Sequence, residues 1–276
     1  MRKIILFIVA LIFSMATCSQ IGGRRSQGNT APAPAGSIPF ERKHSVFFED
    51  GTLDEFTESS WNRNDFLYNT ERFSASGAML EQVEFQYNDR NDITTKLTRD
   101  VEMRLKNRVV YQYQNDRLWR ESLADNRGRI VSQFEYSYDN AGNQTSRIIK
   151  NRQGNTLAET LYEFDGQRRI ISSHTRDSGE NLISYTLYTY DSQGNLTSQQ
   201  VFDNEGRPTS VISSVFQNGR EVRNEIKGAD GTVRMRISNE YGNNGELLKR
   251  TIENFQGEST QVLTYEYDFR PARRQS

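Results

Sequence analysis

The chain has 276 residues, enough for one large domain or two ordinary ones, and its 13 Tyr, 15 Phe and 2 Trp are too many aromatics for a disordered polymer. Lys plus Arg (35) nearly cancels Asp plus Glu (36), which excludes a global field for nucleic acid or an anionic bilayer. The single cysteine excludes an internal disulfide and a cysteine zinc site.

In chain order, Arg2 and Lys3 precede an unbroken apolar run from Ile4 to Phe13. That run is shorter than the about 20 residues a membrane-spanning helix needs, so residues 1–17 read as a signal peptide. The following Met15-Ala16-Thr17-Cys18 resembles a bacterial lipobox, which implies diacylglyceryl modification of Cys18 and a location in the bacterial cell envelope, at the outer membrane or cell surface. Residues 18–45, with Ala31-Pro32-Ala33-Pro34-Ala35-Gly36 at their centre, have the composition of a flexible tether that cannot form a core.

From there to residue 269 the chain is periodic. An aromatic followed by a turn signal recurs at Trp61, Tyr87, Tyr113, Tyr138, Phe164, Tyr190, Phe216, Tyr241 and Tyr267, in steps of 25 or 26 residues. A second ladder, Gly51, Gly77, Gly128, Gly154, Gly179, Gly206, Gly231 and Gly257, runs between these anchors, with one rung missing near Met103. Two turns per period leave about 13 residues for each strand and its turn, which suits a β-hairpin and excludes helical repeats of about 33 residues or more. Asp125-Asn126-Arg127-Gly128, Asp139-Asn140-Ala141-Gly142, Asp191-Ser192-Gln193-Gly194 and Asp203-Asn204-Glu205-Gly206 open on a side chain that bonds the backbone and close on a residue tolerant of positive φ. Asp165-Gly166, Asn218-Gly219 and Asp230-Gly231 read as shorter, two-residue turns, tightest after Phe164 and Phe216.

Alternation supports strands. Phe134, Tyr136 and Tyr138 alternate with Gln133, Glu135 and Ser137, while the intervening segments (Val222, Asn224, Ile226; Leu118, Arg120, Ser122) are weaker, as if part of the sheet were exposed on both faces. The expected fold is all-β, an antiparallel meander of about 16 to 18 strands that, being too wide to stay flat, forms a curled single sheet or partly closes. Residues 270–276, with Arg273-Arg274-Gln275-Ser276, read as a polar tail. A transmembrane barrel shares the alternation but ends on an aromatic strand, so that tail argues against one.

Two stretches carry a family resemblance: Phe134-Glu-Tyr136-Ser-Tyr138-Asp139-Asn-Ala-Gly142-Asn143 and Leu187-Tyr188-Thr-Tyr190-Asp191-Ser-Gln-Gly194-Asn195-Leu196. They resemble the Tyr-Asp (YD/Rhs-type) repeats of bacterial surface proteins, with Gly-Asn where those carry Gly-Arg; Tyr265-Glu-Tyr267-Asp268 is a truncated copy, and Phe216-Gln-Asn-Gly219 is closer to MORN-like repeats. The resemblance implies a spiralling hairpin shell. No cargo segment follows the repeats, so an effector role is not implied.

The search for chemistry yields little. His44 and His174 are the only histidines, too few for a Ser-His-Asp centre or a histidine metal cluster, and His174 is most simply a strand residue. Asp139, Asp165, Asp191, Asp203 and Asp268 read as turn residues, as do Asn143 and Asn195 of the two Asn-X-Thr sequences. A converging carboxylate pair is the one enzymatic arrangement that counting leaves open. The tyrosine stripe (Tyr111, Tyr113, Tyr136, Tyr138, Tyr188, Tyr190, Tyr265, Tyr267) is either core packing or a binding face for sugars, peptides or headgroups. We therefore expect no enzyme and no cofactor. The expected role is a lipid-anchored surface for binding or spacing, its partners the membrane and an envelope protein or glycan; a lipid or lipoprotein carrier is the alternative, with a continuous apolar concave face as its mark.

Overall fold

The computed structural model describes residues 37–243 and 245–271. The signal peptide, Cys18, the proline-rich stretch and the basic end of the tail lie outside the described residues. The eighteen strands are β1 (Ser37–Phe48), β2 (Leu53–Trp61), β3 (Leu67–Ser74), β4 (Met79–Tyr87), β5 (Ile93–Arg99) and β6 (Leu105–Gln114). There follow β7 (Arg117–Asp125), β8 (Ile130–Tyr138), β9 (Gln144–Asn151), β10 (Thr156–Phe164), β11 (Ile170–Asp177) and β12 (Leu182–Tyr190). The last six are β13 (Leu196–Asp203), β14 (Pro208–Gln217), β15 (Arg220–Gly228), β16 (Val233–Tyr241), β17 (Leu247–Asn254) and β18 (Ser259–Pro271).

Each strand pairs antiparallel with its neighbours in sequence, and β1 pairs with both β2 and β18, from Ser37↔Pro271 to Phe48↔Gln261. The expected meander is therefore present, but it is a closed barrel rather than a curled or partly closed sheet. Closure has a physical reason: it leaves no strand edge with unpaired N–H and C=O groups. It also moves two expected boundaries. Strand β1 begins at Ser37, inside the segment expected as tether, because Ile38 and Phe40 complete the pairing of β18 and Phe40 is buried against Trp61. Strand β18 runs to Pro271, past the expected end of the repeats at 269.

The turns are more uniform than the glycine ladder suggests. In the commonest form Asp125 N–H donates to Arg129 O (2.9 Å), Gly128 N–H donates to Asp125 O (3.0 Å), and Gly128 takes φ 78°. This is a three-residue loop with a residue in the left-handed region, the kind that leaves a bulge in the following strand. The missing rung is Met103 itself, at φ 61° in the same slot. Two other rungs sit one residue off: Glu180 and Glu258, not Gly179 and Gly257, take positive φ. The expected two-residue turn at Asp165-Gly166 is a three-residue loop with Arg168 at φ 63°, and the loop containing Asp230-Gly231 opens at Gly228. Asn218-Gly219 is two-residue as expected (φ 52° and 71°), and Asn115-Asp116 is its counterpart (φ 51° and 61°). Those two short turns follow Tyr113 and Phe216, the anchors that begin the 25-residue steps. The missing residue is thus removed from a turn, and strand register is preserved.

Exposure alternates along the strands. In β10 Leu157, Leu161 and Glu163 are exposed while Thr160 and Tyr162 are buried; β12 and β16 follow the same rule. The anchor parity therefore faces inward. The inner wall holds the buried Tyr162, Val201, Ile212, Ile237 and Tyr265 together with the buried Thr98, Arg147, Thr160, Ser173 and Asn239. The weak segments divide between the walls: Asn224 and Ile226 face inward with Ile237 and Met235, whereas Arg120 and Ser122 face outward.

Candidate functional site

The anchors form a row at one end of the barrel, and their polar tips are occupied by backbone. Trp61 Nε1–H donates to Glu41 O (2.8 Å), and the hydroxyls of Tyr87, Tyr113, Tyr138, Tyr190 and Tyr241 donate to the carbonyls of Leu67, Ile93, Leu118, Ile170 and Glu221 at 2.6 to 3.0 Å. Tyr267 repeats the contact to Leu247 O at 3.5 Å. Each tyrosine ties the rim end of its strand to the start of the strand before it. Half of the expected binding stripe (Tyr113, Tyr138, Tyr190, Tyr267) is thus a structural clamp.

The other half lies two residues further from the rim, in a row that includes Tyr111, Tyr136, Tyr162, Tyr188 and Tyr265. On the intervening strands the same inner level carries His44, Thr70, Lys96, Glu121, Arg147, Ser173, Gln199, Asn224 and Arg250, again in steps of 25 or 26. Tyrosines and polar side chains therefore interleave around the lumen. Tyr136 Oη–H donates to Glu121 Oε1 (2.8 Å), Tyr188 Oη lies 3.1 Å from Ser173 Oγ, Arg250 Nε–H donates to Asn239 Oδ1 (2.9 Å), and Asn224 Nδ2 donates to Ser214 Oγ (3.0 Å). Burial pushes the Tyr162 phenol up to about 12 and raises those of Tyr188 and Tyr265, so these hydroxyls remain neutral. The expected tyrosines spread from β6 to β18 and do not meet in one pocket. Nor is the inner wall a continuous apolar surface. No aromatic marks the polar level in the sequence, although the same repeat step, applied to the intervening strands, finds it.

The outer wall divides in two. On β7 to β9 Glu135 takes Arg120 (2.7 Å) and Lys150 (2.5 Å); on β15 to β17 Glu225 takes Arg236 (2.9 Å), which also reaches Glu253 (3.5 Å). Burial opposes ionisation of Glu135, but Lys150 and Arg120 hold its carboxyl below the usual range. Between these ladders, β10 to β14 present Leu157, Leu161, Ile183, Leu187 and Val215 exposed, beside a stack of His174, Tyr185 and Phe202.

Asp139, Asp165, Asp191 and Asp203 bond the backbone of their own turns, as expected. Asp125 Oδ1 accepts from the N–H groups of Arg127 (2.9 Å) and Arg129 (3.0 Å), and Asn143 and Asn195, with turn N–H groups, hold Asp139 and Asp191 below the usual carboxylate range. Asp268, expected in a turn, is a strand residue opposite Phe40. Ser172 Oγ lies 3.4 Å from His174 Nε2, but the third group, Glu163, accepts from the serine (2.5 Å) and not from the histidine, the wrong order for a nucleophilic triad. His44 Nδ1 lies 2.7 Å from Glu41 Oε1. Among the described residues no group of three His, Cys, Asp or Glu side chains could hold a metal ion.

No protein-family model matches the chain, and no curated protein is similar to it. Among solved structures, TcdB2-TccC3-Cdc42 is similar over 80% of this chain at 14% identity and a TM-score of 0.37, and the chain spans 15% of that one. A porin-like protein from Bacteroides uniformis ATCC 8492 is similar over 87% of this chain and 100% of its own length, at 10% identity and a TM-score of 0.43. Another from Bacteroides vulgatus ATCC 8482 covers 83% and 99%, at 8% and 0.33. Overlaps this loose bear on neither ligand nor location.

Proposed function

We propose that the protein is a non-enzymatic barrel of the bacterial cell envelope, held at the membrane by lipid on Cys18, that presents its repeat surface to an envelope protein or glycan. The observation that carries this reading is the outer wall. Glu135, Arg120, Lys150, Glu225, Arg236 and Glu253 face outward in mid-strand, where a bilayer-spanning barrel needs an apolar band. Charges at that depth cost about 2–4 kcal/mol each for Arg or Lys in a lipid-facing position. The wall therefore stands in water, and membrane attachment falls to the N-terminal lipid. The exposed leucines, isoleucine and valine on β10 to β14, interspersed with the outward Glu159, Glu163 and Arg176, support the presenting role, since apolar side chains exposed on a water-facing wall suit a partner.

Fractionation of cells producing the wild type and Cys18→Ala tests this. The wild type is expected in the membrane fraction and the variant in the soluble fraction. A variant that stays in carbonate-washed membranes would contradict the reading, because the strands themselves would then hold the bilayer.

A further inference from the structure

Among the described residues, one buried charge of the inner wall makes no ion pair. Arg147 is 8% exposed, sits on β9 opposite Tyr136 on β8 and Thr160 on β10, and its Nε has no hydrogen-bond acceptor. The inward acid Glu121 lies two strands away on β7 and accepts from Tyr136, and Glu135 takes Arg120 and Lys150 on the outer wall. A guanidinium N–H removed from water without an acceptor is unfavourable unless something else supplies one.

Hydroxyls follow Arg147 across the next strands at its inner level. Thr160 Oγ1 lies 3.1 Å from Thr175 Oγ1, Ser173 Oγ lies 3.1 Å from Tyr188 Oη, and Tyr162 faces Ser173 across the β10/β11 pair. Tyr162 and Tyr188 are near enough that the Arg147 charge opposes the rise of their phenol pKa values. A planar fork of N–H donors flanked by neutral hydroxyls, with no ion pair among the described residues, complements an oxygen anion.

We infer that Arg147, with Thr160, Ser173, Tyr162 and Tyr188, forms an oxyanion-binding site on the inner wall that takes the carboxylate or phosphate group of a polar ligand. This deepens the binding role proposed above by naming the ligand chemistry. It is measured on purified protein, so its outcome is independent of the Cys18 fractionation. A carboxylate would arrive on an acidic sugar, a phosphate on a phosphorylated one or as the free ion.

The test is calorimetric titration of the purified full chain, in a buffer free of oxyanions, with inorganic phosphate in one arm and glucuronate in the other. Saturable binding of at least one is expected, and the arm that binds identifies the source. Arg147→Gln should weaken it by about tenfold or more, the loss of charge-assisted hydrogen bonds. Arg147→Lys keeps the charge but not the fork and should lose about threefold or more; it carries the test if the glutamine variant does not fold. Lys249→Gln, on the outer wall, should bind as the wild type does. The inference is overturned if neither anion binds the wild type, or if the Arg147 variants bind as tightly as the Lys249 variant.

Discussion

Arg147 and Arg250 occupy the same slot of the repeat, on the inner wall of an odd-numbered strand, yet only one finds a partner in the neighbouring slot. Arg250 Nε–H donates to Asn239 Oδ1 at 2.9 Å, and Asn239 is itself held by its Nδ2 donating to Glu221 O at 2.9 Å. At the corresponding place beside Arg147 stands Tyr136, whose hydroxyl proton goes to Glu121. The pairing register of the two slots on the preceding strand is the same. The following strands place Thr160 and Leu263 opposite the two arginines; on the preceding strand stands an amide whose oxygen accepts in one case and a phenol committed to an acid in the other. A repeat architecture can therefore hold its register while individual slots range from satisfied to open for a ligand.

The comparison can be broken at Arg250. Asn239→Leu removes the acceptor of a charged donor and leaves the Glu221 carbonyl with one partner fewer, so it should destabilise the barrel by about 2–3 kcal/mol in urea unfolding. A cost below about 0.5 kcal/mol would mean that Arg250 does not depend on Asn239, and the contrast between the slots would lose its basis. A smaller effect tests whether the aromatic rim is structural. Tyr138→Phe deletes the donor to Leu118 O and should cost about 1 kcal/mol in the same measurement. No loss of stability there would contradict the clamp assignment for this anchor.

The repeat was legible in the sequence because its marks are local. Tyr138 followed by Asp139 and Gly142, or Tyr190 followed by Asp191 and Gly194, places an inward aromatic and a turn in one short string. The turn slots occupied by Asp65, Asn91, Met103, Arg168 and Glu180 were less legible, since a side chain in the left-handed region announces itself only through the loop around it. Gly166 and Gly179 mislead because they lie two residues and one residue before the slot rather than in it. Closure left no local mark at all. Pairing of β1 with β18 joins residues from opposite ends of the repeat domain, and Ser37-Ile38-Pro39-Phe40 continues a proline-bearing stretch whose composition reads as tether. Arg147 escaped notice for a related reason: a lone arginine among Ser, Thr and Ile looks like surface until the ring gives that strand an inside.

Closure is the premise of every statement about an inner wall, and amide hydrogen exchange of the wild-type protein tests it most directly. In a closed barrel β1 and β18 are interior strands with partners on both sides, so their amides should be protected as strongly as those of β9 and β10. Rapid exchange along β1 and β18, with β9 and β10 still protected, would reveal two free edges and contradict the ring.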